Sequence, residues 1–455
     1  MLIRSISGVR GLVKTDLLPE TCAAYAAAAH TMFPDGVIMI GRDTRPSGEH
    51  LSDAMVEILL NYGRDVISLG IVPTPTVQFM VERTDAVAGV VITASHNPIE
   101  WNGLKFIRGD GTFFRSEECD SLFSAVDAGI EMPNHDIEHG TTFMDVNAVQ
   151  KHIIQVVSLS SLDINIIREK NFKVVVDAVN GAGYDAVPRL LESFNCEVIR
   201  VNCEPNGEFT RGTEPLPENL EILSTAVVRN NADVGFAVDP DADRLAVVSE
   251  DGKPLSDEYT LAIAGDGYIR QKKTQETFVI NLSTSMVLEK IAARYNCSVE
   301  RTPVGEINVV QKMIDVGAKF GGEGNGGIIL KEAHLGRDSL VGCAMVLNRM
   351  ALTDERLSLI YAGLPQFVIV KDKLDIDGVD MDNLIKAAIG KFEGAEINTE
   401  DGTKFTWDNQ WIHLRKSNTE PIIRIYAESD SQKNLESLME KFIQKIKSII
   451  SSQHF

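Results

Sequence analysis

Basic residues are scarce relative to acidic ones in this chain. Its 455 residues include 44 Lys and Arg against 65 Asp and Glu, which gives a formal net charge of −21. DNA, RNA and anionic membranes bind mainly to basic faces, so this balance argues against such partners. An anionic small molecule is still compatible, but its phosphate would require positive charge that is gathered locally.

Cysteines and long apolar runs are also scarce. The six cysteines include no C-x-x-C pair and are too few for a disulfide framework, so we expect reduced thiols. No segment reaches the roughly 18 apolar residues of a membrane span, and the N-terminus MLIRSISGVRG has no apolar stretch of signal-peptide length. These absences predict a cytoplasmic protein.

A short β-branched run, a Gly- or Asp-rich loop and a helical stretch recur along the chain. Four runs show this order: Val37–Ile40, Val87–Thr93, Lys173–Asp177 and Phe278–Leu282. The alternation predicts α/β layers with mostly parallel strands, whose functional loops lie at the carboxyl ends of the strands. After about residue 365 the pattern changes, and apolar residues at helical spacing over 435–449 predict a helix on a small α+β domain. We predict four domains, at 1–150, 151–252, 253–365 and 366–455.

The first loop that can carry chemistry is TASHNP at 93–98. Ser95 stands where a nucleophile often does, but the loop is not a G-x-S-x-G elbow. Ser95 and His96 are neighbours in sequence, which disfavours a hydrolase triad. A capped turn is the structural alternative. Lys105 follows in a strand-like segment and can return positive charge to the same site.

The second loop is DPDADR at 239–244, where three carboxylates stand at alternate positions. Carboxylates this close are costly to hold together without a cation, so we predict a hard, oxygen-ligated cation such as magnesium. Glu250 would suit the twelfth position of a calcium EF-hand, but Arg244 stands where that loop needs Gly. Arg244 suits instead a phosphate that shares the metal. A solvated acidic turn is the alternative.

The third loop is GGEGNGG at 321–327, which IIL follows rather than a helix. Its glycine spacing is therefore weak support for a dinucleotide site. We expect a flexible loop that brings Glu323 and Asn325 to a ligand with many hydroxyls. A glycine hairpin is the alternative.

The fourth loop, RKSNTEP at 415–421 with Arg424 just beyond, supplies the local positive charge that the net charge requires. Such a loop can bind a dianionic phosphate through charge-assisted hydrogen bonds. A surface turn is the alternative. Arg10, Arg42 and Arg45 form a further basic group near the first segment.

Two other segments suggest alternative functional sites. The segment Gly181–Ala186 matches G-x-G-x-x-A between a strand and a helix, with Glu204 placed 23 residues on, as in a nicotinamide dehydrogenase. That interpretation leaves Ser95 and the three aspartates unexplained. His135 and His139 have zinc spacing but lack a third ligand.

Taken in order, the loops resemble those of the α-D-phosphohexomutases, which include phosphoglucomutase/phosphomannomutase and phosphoglucosamine mutase. The resemblance covers essentially the whole chain and rests on six motifs: GVRG at 8–11, GRDTRPSG at 41–48, TASHNP at 93–98, DPDADR at 239–244, GEGNGG at 322–327 and RKSNTEP at 415–421. Each motif alone is modest evidence for the family, whereas all six motifs in order are highly specific for it. The family also carries an NGAG turn like that at 180–183, which removes the support for a dinucleotide site.

The resemblance implies three similar α/β domains and a smaller α+β domain, with a TATA-binding-protein-like fold, around a central cleft. It implies that Ser95 is phosphorylated in the active enzyme. Its phosphate would hold one magnesium ion together with Asp239, Asp241 and Asp243. Sugar hydroxyls would meet Glu323 and Asn325. The substrate's non-reacting phosphate would be bound by Arg415, Ser417, Asn418, Thr419 and Arg424.

The resemblance also implies a reaction. Phosphoserine 95 would give its phosphoryl group to a hexose phosphate, and the resulting 1,6-bisphosphate would turn over and return its other phosphate. Arg244 and the metal would offset the charge of the transferring group. Lys105 and Arg10 are candidates for proton transfer or orientation, with His96 as a helper of the phosphoserine.

Two departures from the family pattern concern the sugar. Many members have E-x-S-G-H in the sugar loop, where Gly327 here replaces the histidine, and His334 is offered as its substitute. The arm around Arg10 reads SISGVRG rather than F-G-T-D-G-x-R-G. We expect a monomer or homodimer acting on glucosamine 6-phosphate, with a phosphomannomutase/phosphoglucomutase as the alternative. A dehydrogenase and a non-catalytic protein that binds metal or sugar phosphate are the interpretations from other classes.

Overall fold

Four β-sheets follow one another along the chain. The computed structural model describes residues 2–130, 138–375, 387, 389, 392–416 and 422–453, with only the backbone at 374, 375 and 450–453. Seven strands form the first sheet, four form each of the next two, and five form the last. The exact division of the chain at residues 150, 252 and 365 stays a prediction.

The first sheet is mixed, in the order β1-β2-β6-β5-β3-β4-β7. Its strands are β1 Ile3–Ser5, β2 Gly8–Leu12, β3 Ile38–Arg42, β4 Val66–Ile71, β5 Ala88–Ile92, β6 Trp101–Arg108 and β7 Thr142–Met144. Its helices are α1 Pro19–Met32, α2 Gly48–Asn61, α3 Thr74–Glu82 and α4 Ser116–Ala128. Strands β3, β4, β5 and β7 run parallel, and β6 pairs antiparallel with β5.

The second sheet has the order β11-β10-β8-β9, and only β11 runs antiparallel to its neighbour. Its strands are β8 Lys173–Asp177, β9 Glu197–Val201, β10 Val234–Val238 and β11 Leu245–Ser249. The accompanying helices are α5 Ala148–Val157, α6 Ile164–Lys170, α7 Gly183–Ser193 and α8 Glu221–Asn230, with a 3₁₀ turn at Pro217–Asn219.

The third sheet repeats this arrangement in the order β13-β12-β14-β15, with β15 antiparallel to β14. Its strands are β12 Thr277–Asn281, β13 Ser298–Thr302, β14 Phe320–Glu323 and β15 Gly327–Leu330. Its helices are α9 Asp257–Lys272, α10 Val287–Arg294, α11 Glu306–Val316, α12 Ser339–Thr353 and α13 Leu357–Gly363.

One topological unit thus occurs three times: three parallel strands and a fourth that returns antiparallel beside the third. In the first sheet this unit is β3 to β6, extended by β1, β2 and β7. The turn between the third and fourth strands therefore lies at an equivalent place in each unit. Those turns hold the TASHNP, DPDADR and GEGNGG segments.

The last sheet is antiparallel, in the order β16-β20-β19-β18-β17. Its strands are β16 Val368–Asp375, β17 Glu396–Asn398, β18 Thr403–Trp407, β19 Gln410–Lys416 and β20 Ile422–Ser429. Helix α14, Gln432–Gln453, packs on it. As the spacing predicts, Leu435, Phe442, Ile446 and Ile449 are buried in one apolar cluster with the sheet.

The first three domains share a continuous apolar core, whereas the fourth has its own. The shared cluster includes Met39, Val174 and Phe320, one from each of the first three sheets. Helix α12 is buried along most of its length and contacts α5, α6, α7 and α9. The predicted α/β fold with a separate α+β domain is confirmed. Within the described residues, no helix combines the length and the apolarity needed to cross a membrane.

Phe320 provides a test of the shared core. Its ring is fully buried between Tyr268 and Phe278, with centroids 5.5 and 5.4 Å away. We expect Phe320→Ala to lower the free energy of unfolding by about 3–5 kcal/mol, because it removes apolar contacts and leaves a cavity. Chemical denaturation measures the change. Phe143, which is 60% exposed, is the matched control, and Phe143→Ala should cost less than about 0.5 kcal/mol.

Candidate active site

Two loops that are far apart in sequence meet at the carboxyl ends of their strands. The loop after β5 carries Ser95, and the loop after β10 carries Asp239, Asp241 and Asp243. The Ser95 hydroxyl donates to Asp239 Oδ2 at 3.2 Å. Each of these four side chains belongs to a residue that is 1% exposed or less. The structure therefore places the predicted nucleophile against the predicted metal ligands.

The backbone of Ser95 is held in a conformation that non-glycine residues seldom adopt. Its φ is 52°, in the left-handed region, and such outliers cluster at functional sites. The Ser95 N–H donates to Thr93 Oγ1 at 2.9 Å, and its carbonyl accepts from Arg45 Nη2 at 2.7 Å. Arg45 is fully buried, pairs with Asp43 at 3.0 Å and donates to three more carbonyls of the loop. Arg45, which belongs to the basic group noted above near the first segment, thus holds this loop in place.

The pKa values of Asp239 and Asp241 shift in opposite directions because Lys105 lies close to Asp241. Burial, followed by the charges of Asp243 and Asp241, raises the pKa of Asp239 well above its ordinary value. Burial acts in the same direction on Asp241, but Lys105 Nζ lies 2.7 Å from its Oδ2 and lowers the pKa of Asp241. Burial lowers the pKa of Lys105, but Asp241 and Asp243 outweigh it and the net pKa is raised. Lys105 is therefore a fixed positive charge.

Unpaired carboxylate oxygens test whether these residues suit a cation. Oδ1 of Asp241 and Oδ1 of Asp243 are buried without a hydrogen-bond partner among the described residues. Asp239 and these two aspartates each offer an oxygen, and the three oxygens lie within 4.8 Å of one another. Unsatisfied buried oxygens are costly, and hard cations bind such oxygens. The donor set fits one oxygen-ligated cation.

Arg244 ends the acidic loop and faces the same space. Its Nη1 donates to Glu214 at 2.8 Å. Its Nε lies 3.8 Å from Asp243 Oδ1 and 4.0 Å from Asp239 Oδ2. This nitrogen is buried and makes no hydrogen bond within the described residues. It is placed to donate to an anion next to the aspartates.

His96 lies next to Ser95, where the charges of Arg244 and Arg10 also act on its ring. Its Nδ1 is 3.4 Å from Ser95 Oγ. Burial, followed by the charges of Arg244 and Arg10, lowers the pKa of His96 to about 2, so its ring is neutral. Arg10 Nη1 donates to Asn97 Oδ1 at 2.7 Å, which ties the N-terminal arm to the serine loop.

The GEGNGG segment is a tight hairpin, so the prediction of a flexible loop is wrong. Strands β14 and β15 pair up to Glu323 opposite Gly327, which leaves only 324–326 in the turn. Glu323 accepts from Asn281 Nδ2 and from Arg337 Nη1, both at 2.7 Å. Asn325 accepts from the Gly327 N–H at 3.2 Å. Cross-strand pairing and these side-chain bonds fix the geometry that the glycines alone would leave open.

Beside these groups lies one cleft, made of two adjoining cavities of about 330 and 380 Å³. The first cavity also contacts Arg10 and Lys105, and the second contacts Arg415. The residues that line both cavities are His96, Arg244, Val304, Glu323, Asn325 and Arg424. The size suits a small ligand, and the lining is charged at both ends.

The fourth domain adds its arginines to the cleft from two neighbouring strands. Arg415 on β19 lies opposite Arg424 on β20. Arg415 is also paired with Asp401, at 3.0 Å. The predicted phosphate-binding residues Ser417, Asn418 and Thr419 lie outside the described residues.

The structure argues against the dinucleotide site and the EF-hand considered above. The backbone of Pro240 packs against the turn at Gly181, where a Cβ would lie 2.6 Å from the Pro240 oxygen, and the Ala182 N–H donates to that oxygen at 2.7 Å. The acidic loop thus fills the space that a dinucleotide pyrophosphate would need. Antiparallel strands rather than helices flank the acidic loop, which excludes an EF-hand. Of the zinc candidates, His135 lies outside the described residues.

The sequence reasoning missed several residues of the site. Arg337 reaches Asp243, Glu306 and Glu323, and Thr74 Oγ1 donates to Asp241 Oδ2 at 2.7 Å. A signal for Arg337 exists, since it stands in a Gly-Arg-Asp turn before an apolar helix. No local pattern marks Thr74.

His334, offered above for the absent histidine, points elsewhere. It is 1% exposed, and its Nε2 lies 3.2 Å from Asp338 Oδ2. It is not among the residues that line the two cavities in the described part of the chain.

The chain matches four models of the phosphoglucomutase/phosphomannomutase family. They describe alpha/beta/alpha domains I, II and III and the C-terminal domain, at residues 2–131, 150–252, 256–367 and 368–445. A phosphoglucomutase/phosphomannomutase of Thermococcus kodakarensis is 34% identical over 447 residues, 95% of this chain and 96% of that one. A probable phosphoglucosamine mutase of Methanopyrus kandleri is 32% identical over 440 residues, 96% of each chain.

A solved structure supports the fold. The crystal structure of a phosphoglucomutase/phosphomannomutase family protein from Burkholderia thailandensis superposes with a TM-score of 0.85, at 24% identity and 98% coverage of both chains. Four domains around one cleft thus define the class of enzyme, a phosphohexomutase. The chain belongs to the phosphoglucomutase/phosphomannomutase family. The predicted fold and the predicted class of reaction are confirmed, and the sugar is a matter for the proposal below.

The raised pKa of Asp239 gives a pH-dependent test of the cation site. In the metal-free folded protein the raised pKa of Asp239 favours its protonated form, so this group's contribution to stability falls as pH rises above about 4. Magnesium must displace that proton. We expect one fixed magnesium concentration to raise the melting temperature more at about pH 8 than at about pH 5, because the apparent Kd is lower at the higher pH. Where that concentration is 100 times Kd, the stabilisation is about 2.7 kcal/mol.

Asp239→Asn is the matched control for that measurement. The amide has no proton to release and is a weaker ligand, so differential scanning fluorimetry should show almost no magnesium effect at either pH. An equal magnesium-dependent rise in the wild type and in Asp239→Asn would contradict the assignment.

Proposed function

We propose that this protein interconverts a hexose 6-phosphate and the hexose 1-phosphate through a phosphoserine at Ser95. The observation that carries the proposal is the contact of Ser95 Oγ with Asp239 at 3.2 Å, next to a cleft that His96 and Arg244 line together with the predicted sugar and phosphate residues. A hydroxyl buried against three carboxylates suits phosphoryl transfer assisted by a cation.

The phosphoryl group would move between Ser95 Oγ and the sugar in two transfers. In the first, a sugar oxygen attacks phosphorus and the bond to Ser95 Oγ breaks, giving a hexose 1,6-bisphosphate. After this intermediate turns over, Ser95 Oγ attacks the phosphorus of the other phosphate, and the sugar oxygen that carried this phosphate in the substrate leaves. A magnesium ion held by Asp239, Asp241 and Asp243 would offset charge on the transferring group.

The side chains around Ser95 would orient the reactants. Arg244 can donate its unpartnered Nε to the transferring phosphoryl group. Lys105, whose pKa is raised, would act chiefly as a fixed charge, and neutral His96 can accept or donate a hydrogen bond at the serine oxygen. Arg10 would orient the substrate from the first domain.

The far end of the cleft would hold the rest of the substrate. Glu323 and Asn325 are placed to meet sugar hydroxyls, and Arg415 and Arg424 to bind the non-reacting phosphate together with the loop 417–421. Closure of the fourth domain over the cleft would exclude water, which would otherwise hydrolyse the phosphoserine.

We infer glucosamine 6-phosphate as the preferred sugar. The carboxylates of Glu214, Glu258 and Glu323 line the part of the cleft beside Arg415, and an acidic wall suits the sugar's amine. The relative from Methanopyrus kandleri bears a phosphoglucosamine mutase name, whereas the one from Thermococcus kodakarensis is named for glucose and mannose, which keeps phosphomannomutase/phosphoglucomutase as the alternative. We place the reaction in the cytoplasm, in a monomer or homodimer.

Ser95→Ala tests the phosphoserine. Because the variant has no oxygen to carry the phosphoryl group, we expect its kcat to fall by roughly 10⁴-fold or more in an assay primed with a hexose 1,6-bisphosphate. Mass spectrometry should find one phosphoryl group on wild-type Ser95 after priming and none on the variant. Ser249→Ala, at another serine that is 1% exposed, should retain both signals. Full activity of Ser95→Ala would overturn the mechanism and favour a non-catalytic role for the serine.

A comparison of sugars tests the substrate. We expect the highest kcat/KM with glucosamine 6-phosphate among the glucosamine, mannose and glucose 6-phosphates, because only its amine can pair with the acidic wall. Coupled assays with the primed enzyme measure the three values. A higher kcat/KM for mannose or glucose 6-phosphate would favour the alternative.

A further inference from the structure

Arg337 joins the acidic loop of the second domain to the hairpin of the third. Its Nη2 lies 2.5 Å from Asp243 Oδ2, its Nη1 2.7 Å from Glu323 Oε2 and its Nε 3.0 Å from Glu306 Oε2. Arg337 is 8% exposed, and its side chain lines the cleft. All three guanidinium nitrogens are thus engaged, each with a different carboxylate.

The backbone beside Arg337 is fixed as firmly as its side chain. The next residue, Asp338, caps helix α12 by accepting from the N–H groups of Leu340 and Val341. Its second oxygen bonds to His152 at 2.9 Å and to His334 at 3.2 Å. The arginine therefore projects from a rigid base where the second and third domains meet.

Gly327 is the residue that gives Arg337 its path. A Cβ at position 327 would lie 2.3 Å from Arg337 Cδ and 3.0 Å from Asn325 Oδ1. Because Cδ is in the middle of the side chain, the arginine has to leave its three carboxylates to relieve this clash. A side chain at 327 and the observed position of Arg337 thus exclude each other.

We propose that Arg337 is a positioning residue that sets the sugar-binding hairpin at a fixed distance from the phosphoryl-transfer centre, and that Gly327 is required to admit it. The proposal rests on the proposed function, because it assigns Glu323 to the sugar and Asp243 to the transfer centre. Arginine keeps its proton throughout the working pH range, so this link orients the substrate without exchanging protons.

A double-mutant cycle of Gly327→Ala and Arg337→Met tests the link. Both changes are made in the Ser95→Ala background, and calorimetry measures the Kd of glucosamine 6-phosphate and, separately, of inorganic phosphate. We expect each single change to weaken sugar-phosphate binding about 10- to 100-fold, as for other residues that orient a ligand-binding group. The double variant should bind no more weakly than the worse single one, since both changes break the same contact.

Binding of inorganic phosphate separates positioning from general damage. The arginines of the fourth domain would bind that ion without help from the hairpin, so its Kd should change less than about 2-fold in the variants. Arg337→Lys should restore part of the sugar-phosphate affinity, because an ammonium keeps the charge but can span fewer of the three carboxylates.

Arg349→Met is the matched control for loss of a buried arginine. Arg349 is 3% exposed and pairs with Asp266 at 2.5 Å, away from the cleft. We expect this variant to lower the melting temperature and to leave the Kd of glucosamine 6-phosphate unchanged.

Two results of the cycle would overturn the proposal: folded Gly327→Ala and Arg337→Met variants with wild-type affinity for the sugar phosphate, or losses that multiply in the double variant. Equal losses for inorganic phosphate would also overturn it. If the wild type binds glucosamine 6-phosphate but shows no mutase turnover, the proposed function fails while the binding cycle still decides the role of Arg337.

Discussion

The confinement of buried negative charge is the constraint on which this site depends. Four carboxylates from the second and third domains pair with two buried cations, Lys105 and Arg337; they are Asp241, Asp243, Glu306 and Glu323. Burial penalises each of these charges, so the cluster is tolerated only because Lys105 from the first domain and Arg337 from the third compensate it. The oxygens left without partners are those suited to a cation. Charge compensation thus joins three domains and prepares the centre for phosphoryl transfer at once.

Repetition of one topological unit explains why the reacting groups come together. In each of the first three domains the functional segment is the turn between the third strand and the antiparallel fourth. The shared apolar core and the buried helix α12 pack these units together, with the three turns facing one cleft. The strained backbones of Ser95 and Ala242, at φ of 52° and 54°, are maintained by this packing. The fourth domain has a separate core, which suits a part that closes over a bound substrate.

Much of the fold and of the site follows from local pattern. The strand–loop–helix order, the apolar face of the last helix, the nucleophile at a strand end and the alternating aspartates all lie within a few consecutive residues. The pattern wrongly predicted a flexible glycine-rich loop, and it did not show which groups Arg45 contacts. The glycine-rich segment forms a hairpin because β14 and β15 pair, and Arg45 is buried because it satisfies the carbonyls of the serine loop. In both cases the deciding partners are distant in sequence.

Basic residues are scarce relative to acidic ones in this chain. The sequence by itself therefore determined that an acidic chain must gather its cations at particular loops. It also determined the family and predicted the nucleophile and the metal-binding aspartates, because these are encoded in short contiguous motifs. Only the tertiary structure decided which cations face those aspartates. Lys105 lies 136 residues from Asp241 and Arg337 lies 94 residues from Asp243, and no local spacing relates them. Electrostatic interactions at 2.5–2.7 Å depend on how domains pack, so the charge balance of the site arises only when the chain is folded.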